Sequence, residues 1–390
     1  MAESCELCRR HALDPVYEAE GSRRGLKVYL CAHCGLLQSL PRIDHAAEAP
    51  AAVSAGADWG NVRYGKAFRT KTVLSLLARH VDLSADLSVL DVGSNRGSFA
   101  RAFLDGAPNA QIVAVEPDGR VAGACADLDR VELIAARIEE VPLETGRFHV
   151  VHSCHSIEHL ASPARTLADH WRVLRPGGIL VLDAPNVAFL ESEDIVEEWF
   201  IDKHLFHFSA RTLMRLLEAA GFEIIAAPDL SDSENLLVIA RKSYTAHSAI
   251  DSDPREVDAA RRLVAAYCAT RTRNIVALTF VASEIAAMRP RRVAVWGAGR
   301  IFDSLVTHGG LEPASLNLLV DVHLKPHVAE RFGCALASPE EIARVRPGVI
   351  VVMSRGFAGE IVAEARRLAP QAEIVTYAEL LTRARLRKAA

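Results

Sequence analysis

Long hydrophobic runs, clusters of charge of one sign and internal repeats are all missing from this sequence of 390 residues. Charged residues interrupt every apolar stretch well before the roughly 18 to 20 residues that a membrane span requires, so we expect a soluble protein. Lysine and arginine total 45 against 49 for aspartate and glutamate, a net charge of -4, which makes nucleic acid a poor partner. The N-terminal stretch has a cysteine pair where a secretory leader needs an apolar core, which predicts a cytoplasmic protein with reduced thiols.

The length of the chain has room for two to three compact domains. Composition divides it into a cysteine-rich segment at 1–50, an α/β core at 60–243, a helical linker at 244–290 and a smaller α/β domain at 291–390. The alanine- and proline-rich stretch from Ala46 to Ala52 is typical of a linker between the first two parts.

In the core, apolar runs rich in β-branched residues alternate with helical patterns, which predicts a parallel sheet covered by helices. The runs are Ser88–Val92, Gln111–Glu116, Val131–Ala135, Phe148–Ser153, Gly178–Asp183, Phe222–Ala227 and Asn235–Arg241. The last two can form an antiparallel hairpin at the sheet edge, which gives seven strands. A second, smaller α/β layer is predicted from the runs Val293–Trp296, Leu318–Asp321, Val349–Met353 and Ile374–Thr376.

Four of the eight cysteines form two Cys-x-x-Cys pairs, Cys5 with Cys8 and Cys31 with Cys34. Two such pairs can place four thiolates tetrahedrally around one zinc ion, and with four sulfurs no coordination position stays open for water. We therefore expect a zinc-binding module at residues 1–50 whose ion stabilises the fold. The alternative is a group of thiols without a metal, or a redox pair.

A glycine-containing turn follows the first core strand and leads into a helix. Gly93 and Gly97 let the backbone approach a ligand closely. Glu116 closes the next strand, where its carboxylate can accept hydrogen bonds from both hydroxyls of a ribose. Asp91 precedes the turn and Asn95 stands where a dinucleotide-binding turn has glycine, which favours S-adenosylmethionine over a pyrophosphate. A purely structural strand, turn and helix is the alternative.

Together with Leu174–Leu182, in which Pro176 ends a helix and two glycines reverse the chain into a strand, these pieces resemble the class I S-adenosylmethionine-dependent methyltransferases over residues 65–243. The resemblance implies a Rossmann-like core whose turn holds the methionine part of the cofactor, with the adenine beside Ala136 and Arg137. Ser153, Cys154 and His155 would line the floor near the sulfonium. The cofactor-binding residues so implied are Asp91, Gly93, Ser94, Asn95, Gly97, Glu116, Pro117, Arg137, Ser153 and His155.

Two histidines in the loop 202–209 are candidates for activating the methyl acceptor. Methyl transfer is an in-line displacement that needs an aligned acceptor and, for a protonated acceptor, a base. His204 and His207 follow the fifth strand, past the carboxyl ends of the strands, where ligands bind in open α/β sheets. Either histidine could instead pack against or cap the next helix, for which Ser209 is the expected N-cap.

Other polar side chains near this loop are weaker candidates for the acceptor site. Glu158 and His159 could line the pocket or begin a helix, and we rank them below His204. Tyr64, just before the core, could contribute a hydroxyl, although a loop aromatic is more often a packing residue.

Over nearly its full length the chain resembles the nucleotide-sugar C-methyltransferases that act on keto-deoxysugars. These proteins have a four-cysteine zinc module, a methyltransferase core and a C-terminal Rossmann-like domain. The matching segments are Cys5–Cys8, Cys31–Gln38, Gly93–Gly97, Val115–Pro117 and His204–Ser209. The resemblance implies that His204 removes a proton alpha to a ketone, because the carbonyl spreads the resulting charge onto oxygen.

The sequence departs from that family at Arg96, Lys203 and His207. An O- or N-methyltransferase acting on a sugar or another small natural-product metabolite is therefore one alternative, and a non-catalytic scaffold with a zinc module is another. In the C-terminal domain, the turn Gly297–Arg300 and the Asp321 region could bind the acceptor's nucleotide, or the domain could only close the cleft by packing.

Overall fold

The computed structural model describes residues 3–42, 66–118, 125–244, 249–326 and 328–389. Tyr64 and the predicted linker from Ala46 to Ala52 lie outside these ranges. None of the helices in the described ranges combines the length and the apolar character of a transmembrane segment.

The chain forms two compact units that differ from the predicted four segments. The first consists of Met1–Phe189 with Phe200–Val264, and the second of Leu190–Trp199 with Ala265–Ala390. The cysteine-rich segment thus belongs to the same unit as the core, and ten residues of the predicted core belong to the second unit. The predicted linker helix, α5 (Pro254–Ala287), contributes residues to both units.

The core sheet has the seven strands that the apolar runs predict. They are β4 (Ser88–Val92), β5 (Gln111–Val115), β6 (Val131–Ile134), β7 (Phe148–Cys154), β8 (Leu174–Pro185), β10 (Phe222–Ala226) and β11 (Asn235–Lys242). Their order is β10-β11-β8-β7-β4-β5-β6, with β10 and β11 antiparallel at one edge and the other five strands parallel. The α/β Rossmann-like architecture and the edge hairpin are confirmed.

Both faces of this sheet are covered, which explains why its strands read as continuous apolar runs. Successive residues of β4 point to opposite faces, so Val89 packs into one hydrophobic core while Leu90 and Val92 pack into the other. The carboxyl ends of the parallel strands consequently meet along one edge, where side chains are free to form a site.

The Pro-Gly-Gly segment forms a bulge within a strand, whereas the sequence predicted a turn ahead of it. Strand β8 already begins at Leu174, which pairs with Phe148, and the pairing then jumps to Ile179 opposite Val150. The extra residues fit because proline needs no amide partner and Gly177 has a φ of 71°.

Helices pack on the core sheet as the alternating pattern predicted. In the first unit they are α1 (Lys66–Leu77), α2 (Ser98–Gly106), α3 (Pro163–Val173) and α4 (Ala210–Ala219). The side chain of Ser162 caps α3 by accepting from the Arg165 amide, with proline at the first helical position.

Ser209 is the N-cap of α4, as predicted. Its hydroxyl accepts from the Thr212 amide at 3.1 Å, and the Thr212 hydroxyl accepts from the Ser209 amide at 3.0 Å. We expect Ser209→Ala to cost about 1 kcal/mol, which lowers the midpoint of thermal unfolding by about 2–4 °C. Circular dichroism on heating measures the shift, with the exposed Ser252→Ala as control; equal midpoints for the two variants would contradict it.

The cysteine-rich segment forms a small antiparallel sheet with the core loop. Its strands are β1 (Leu13–Glu18), β2 (Lys27–Cys31), β3 (Leu37–Leu40) and β9 (Phe206–His207), in that order. Because β9 begins two residues after the catalytic candidate His204, this pairing connects the cysteine-rich segment to the loop that carries that histidine.

The second unit contains a six-stranded sheet of the order β14-β15-β13-β12-β16-β17. Its strands are β12 (Val293–Trp296), β13 (Leu318–Val320), β14 (Glu330–Arg331), β15 (Cys334–Ala337), β16 (Val349–Val352) and β17 (Glu373–Thr376). Its helices after α5 are α6 (Arg300–Thr307), α7 (Glu341–Val345), α8 (Ala358–Leu368) and α9 (Tyr377–Ala389). The second α/β layer was predicted, but the short strands β14, with two residues, and β15, with four, were not.

Candidate functional site

The glycine turn lies at the carboxyl end of β4, at the edge of the sheet where ligands bind. Gly93 has a φ of 70° and Gly97 a φ of 72°, a backbone conformation that side chains with a Cβ rarely adopt. A Cβ on Gly97 would lie 2.2 Å from the sulfur of Cys125. The backbone at Gly97 therefore packs directly against Cys125, and α2 begins at the next residue.

Glu116, directly after β5, is hydrogen-bonded to this turn. Its Oε2 accepts from the Asn95 amide at 2.8 Å, and its Oε1 accepts from the Asp118 amide at 3.0 Å. The side chain is buried, and a carboxylate oxygen can accept from more than one donor. The structure thus brings together the turn and the acid that the sequence pairs for binding methionine and ribose.

Asp91, at the end of β4, is held by a histidine that the sequence analysis missed. His152 Nδ1 donates to Asp91 Oδ1 at 2.7 Å, and the His152 ring stacks on Phe99 at 3.5 Å. Asp91 Oδ2 is buried without a hydrogen-bond partner among the described residues, so it can accept from a ligand. The sequence carries no signal for this contact, because it depends on the pairing of β4 with β7, in which Asp91 and His152 are direct neighbours.

The other predicted cofactor residues lie near or beyond the ends of core strands. Ser153 is in β7 and has a buried hydroxyl, like Ser94 in the turn, with no hydrogen-bond partner for either hydroxyl in the described ranges. His155, just after β7, has a φ of 49°, and its amide donates to the Asp183 carbonyl at 2.8 Å. Pro117 is exposed and Arg137 is half-buried beyond β6.

The predicted acceptor side is a group of titratable side chains around Glu158. Glu158 is 1% exposed, and its Oε1 lies 3.5 Å from His159 Nε2 and 3.6 Å from His155 Nδ1. The His204 ring lies 4.9 Å from the His159 ring, centroid to centroid. The Leu205 amide donates to the Glu158 carbonyl at 2.8 Å, which fixes the His204 loop beside Glu158.

Burial and charge act in opposite directions on the pKa of Glu158. Burial alone would raise the pKa of this carboxyl, but the neighbouring His159 and His155 outweigh it and hold the pKa at about 2. Burial lowers the pKa of His159.

His207, the second predicted base, has a different environment. Its Nε2 lies 2.8 Å from the Ser39 hydroxyl, and its ring packs edge-on against Phe200 at 4.7 Å. Burial lowers the pKa of His207 to about 3. A hydrogen bond across β3 and β9 favours the packing role that the sequence left open for this residue.

The two Cys-x-x-Cys pairs come together as one cluster. The sulfurs of Cys5 and Cys34 are 3.4 Å apart, those of Cys8 and Cys31 are 3.5 Å apart, and all four lie within 4.8 Å of one another. In a tetrahedral site with Zn–S bonds of about 2.3 Å, neighbouring sulfurs lie about 3.8 Å apart. The spacing of the four sulfurs is therefore close to that of a tetrahedral zinc site.

In the second unit, the Asp321 carboxylate accepts three hydrogen bonds from backbone amides. It accepts from the Ala298 amide at 2.9 Å, and from the amides of His323 and Leu324 at 2.9 and 2.8 Å. The hydrogen bond from the Ala298 amide holds the turn after β12 against Asp321.

A buried ion pair in the second unit was not predicted. Arg355, after β16, makes a bidentate contact with Glu197 at 2.5 and 2.8 Å and contacts Asp194 at 2.8 Å. Burial would raise the pKa of Glu197, but Arg355 outweighs it and holds the pKa at about 2. Glu197 and Arg355 are 158 residues apart along the chain, so no local sequence pattern predicts their contact.

Residues 64–227 match the profile of a protein family described as a methyltransferase domain. A probable S-adenosylmethionine-dependent methyltransferase of Mycolicibacterium smegmatis is 32% identical over 142 residues, which are 36% of this chain and 53% of that protein. Another, from Mycobacterium tuberculosis, is 35% identical over 118 residues, 30% of this chain and 42% of that protein. The chain thus spans about half of these curated relatives, or less.

Among solved structures, the chain is similar to the 1,6-didemethyltoxoflavin-N1-methyltransferase of Burkholderia thailandensis. The identity is 21%, the TM-score is 0.40, and the match covers 53% of this chain and 96% of that chain.

Residues 64–227 are therefore similar to S-adenosylmethionine-dependent methyltransferase domains. This segment includes the glycine turn, Glu116 and the Glu158 group. This result counts against the non-catalytic scaffold considered from the sequence.

Proposed function

We propose that the protein transfers the methyl group of S-adenosylmethionine to a small-molecule acceptor. The observation that carries the proposal is the 2.8 Å hydrogen bond from the Asn95 amide to Glu116, because it joins the glycine turn to the carboxylate that would hold the ribose. Asp91 Oδ2 supplies a further buried acceptor at the start of the turn. The bound cofactor would supply an electrophilic methyl group on its sulfonium.

The acceptor that we propose is a nucleotide-linked keto-deoxysugar, methylated on the carbon next to the ketone. The order of the parts supports it: a cluster of four cysteines, a methyltransferase domain and a C-terminal α/β unit follow one another along the chain. His204, beside Glu158 and His159, is the proposed base.

In this reaction the base takes the proton alpha to the ketone, and the electron pair of that C–H bond forms an enolate. The enolate carbon then bonds to the methyl carbon while the methyl–sulfur bond breaks, and S-adenosylhomocysteine leaves. Alignment supplies much of the rate enhancement in such a displacement, and the base adds typically 10²–10⁴-fold.

We also propose that the four-cysteine cluster binds a structural zinc ion. Its sulfur spacing supports this, and four thiolates leave no open position for a reacting group. The ion would hold together a segment that contributes three short strands to the first unit.

O- or N-methylation of a sugar or another metabolite is the second candidate. It is supported by Lys203 and Arg96, which differ from the residues of the C-methyltransferase family at these positions. The carbon chemical shift of the new methyl group separates the candidates, because a methyl on carbon resonates far upfield of one on oxygen or nitrogen.

Proton exchange tests the proposed base without requiring methyl transfer. The protein is incubated in deuterated water with a nucleoside-diphosphate-linked keto-deoxyhexose, without S-adenosylmethionine, and loss of the alpha-proton signal is followed by nuclear magnetic resonance. We expect exchange that slows by about 10²–10⁴-fold in His204→Ala. The exposed His80→Ala is the matched control and should exchange at the wild-type rate.

Two outcomes of this experiment count against the proposal. Absence of exchange in the wild-type protein would contradict carbon methylation of such a sugar. An unchanged rate in His204→Ala would contradict the role of that side chain while leaving the acceptor in place.

A further inference from the structure

Glu158 has an unusual environment for a buried carboxylate. It is 1% exposed, yet neither of its oxygens has a hydrogen-bond partner among the described residues. Leaving a buried charged acceptor without partners costs several kcal/mol, so native structures rarely contain one without an ion, a water or a ligand beside it. The only polar neighbours of Oε1 given by the described residues are His159 Nε2 at 3.5 Å and His155 Nδ1 at 3.6 Å, and an ion between such groups would supply the missing partner.

The neighbours of Glu158 are metal-ligating side chains. One ligand atom each of Glu158, His159 and His204 lies within 4.8 Å of the other two. The 3.5 Å from Glu158 Oε1 to His159 Nε2 is too long for a good hydrogen bond. It is the spacing expected of two ligands of one ion, because bonds of about 2.0–2.1 Å at tetrahedral angles place neighbouring ligand atoms about 3.3 Å apart.

The backbone orients the His159 ring for such a role. His159 Nδ1 lies 2.8 Å from the Lys203 carbonyl oxygen. A carbonyl oxygen can only accept, so Nδ1 carries the proton and the lone pair is on Nε2, the nitrogen nearer to Glu158. Ligating histidines commonly donate their other ring nitrogen in this way, which fixes the tautomer and the direction of the ring.

We propose that Glu158, His159 and His204 bind a divalent metal ion, zinc or a similar first-row transition ion. Two imidazoles and one carboxylate are a ligand set of catalytic zinc sites, in which further coordination positions remain for water or substrate. This site differs in kind from the four-cysteine cluster, whose sulfurs leave no position open.

An open coordination position would allow the ion to bind the acceptor directly. A divalent ion acts as a Lewis acid that polarises a carbonyl oxygen of the acceptor. His204 would then be a ligand of the ion, and the alpha proton would pass instead to a water molecule at the open position, whose pKa the ion would lower. This task rests on the proposed function, whereas the binding of the ion does not.

Metal content of the full chain tests the proposal. Protein depleted of metal is reloaded with zinc chloride, freed of excess and measured by inductively coupled plasma mass spectrometry. We expect Glu158→Gln and His159→Ala each to hold one ion fewer per chain than the wild type. The exposed variants Glu218→Gln and His80→Ala are matched controls and should hold as many ions as the wild type.

Cobalt distinguishes the two sites by their ligands. Co²⁺ bound by four thiolates gives an intense sulfur-to-metal charge-transfer band in the near ultraviolet, whereas nitrogen and oxygen ligands give only weaker visible bands. We expect Glu158→Gln to lose the weaker bands and keep the charge-transfer band, and Cys34→Ala to do the reverse. Keeping the charge-transfer band also shows that the Glu158 variant has folded.

Equal metal content in the wild type and in both site variants would overturn the proposal. S-Adenosylmethionine binding and alpha-proton exchange, measured on the same preparations, report separately on the proposed function. If the ion is absent and exchange persists, the metal site is wrong and His204 remains the base. If the ion binds and no methyl acceptor is found, the metal site stands without the proposed reaction.

Discussion

Glu116→Ala is expected to weaken the binding of S-adenosylhomocysteine by about 10- to 150-fold for each lost hydrogen bond to the ribose. A hydrogen bond to a charged group contributes about 1.5–3 kcal/mol, and every 1.4 kcal/mol changes affinity tenfold. The same substitution removes the acceptor of the Asn95 and Asp118 amides, so the glycine turn also loses an internal support. Isothermal titration calorimetry measures the dissociation constant.

Two further variants separate these effects. Glu116→Gln keeps one acceptor oxygen and should lose less affinity than the alanine variant. Glu139→Ala removes an exposed carboxylate beyond β6 and should bind like the wild type. Wild-type affinity in Glu116→Ala would mean that the cofactor does not occupy this end of the sheet.

Cys34→Ala should remove the zinc ion from the four-cysteine cluster and unfold the segment that this ion holds. Structural zinc contributes apparent binding energies of about 10–16 kcal/mol in zinc-finger peptides, and its loss leaves such small segments unfolded. Hydrogen exchange followed by mass spectrometry should show loss of protection in β2 and β3. Cys334→Ala, in the sheet of the second unit, is the control and should keep both the zinc and the protection.

The same variant should also affect the His204 loop. The Ser39 amide donates to the Leu205 carbonyl at 2.8 Å, and Leu205 in turn donates to Glu158. Loss of β3 would therefore release one side of the loop that holds His204. Full protection of residues 204–208 in zinc-free Cys34→Ala would show that the cysteine cluster and the acceptor side are independent.

The sequence predicts those parts of the fold that depend on residues close to one another along the chain. Apolar runs identified all seven core strands, and the central ones, such as β4 and β7, are buried on both faces. Ser209 was recognised as a helix cap from its position ahead of an apolar helical pattern. The turn at Gly93–Gly97 and the acid at Glu116 were recognised because their spacing matches one strand, helix and strand.

The parts that the sequence did not predict depend on pairings between distant residues. Strand β9 has only two residues and exists because β3 pairs with it. His152 holds Asp91 because β4 and β7 are neighbours, an order that no local pattern specifies. Glu158 and His159 were ranked below His204, yet the three lie in one group once the loop after β8 folds back on them.

The assignment of Leu190–Trp199 to the second unit has a consequence for synthesis of the chain. The carbonyl groups of Glu193 and Ile195 accept from Asn274, and the Glu193 carbonyl lies 81 residues before that partner. Glu197 lies 158 residues before Arg355. During synthesis most of the first unit is therefore complete before the residues that contact Leu190–Trp199 have been made. Ile195 and Val196 are buried in the folded protein. Until the C-terminal third of the chain has been synthesised, these two side chains remain exposed to chaperones and to aggregation.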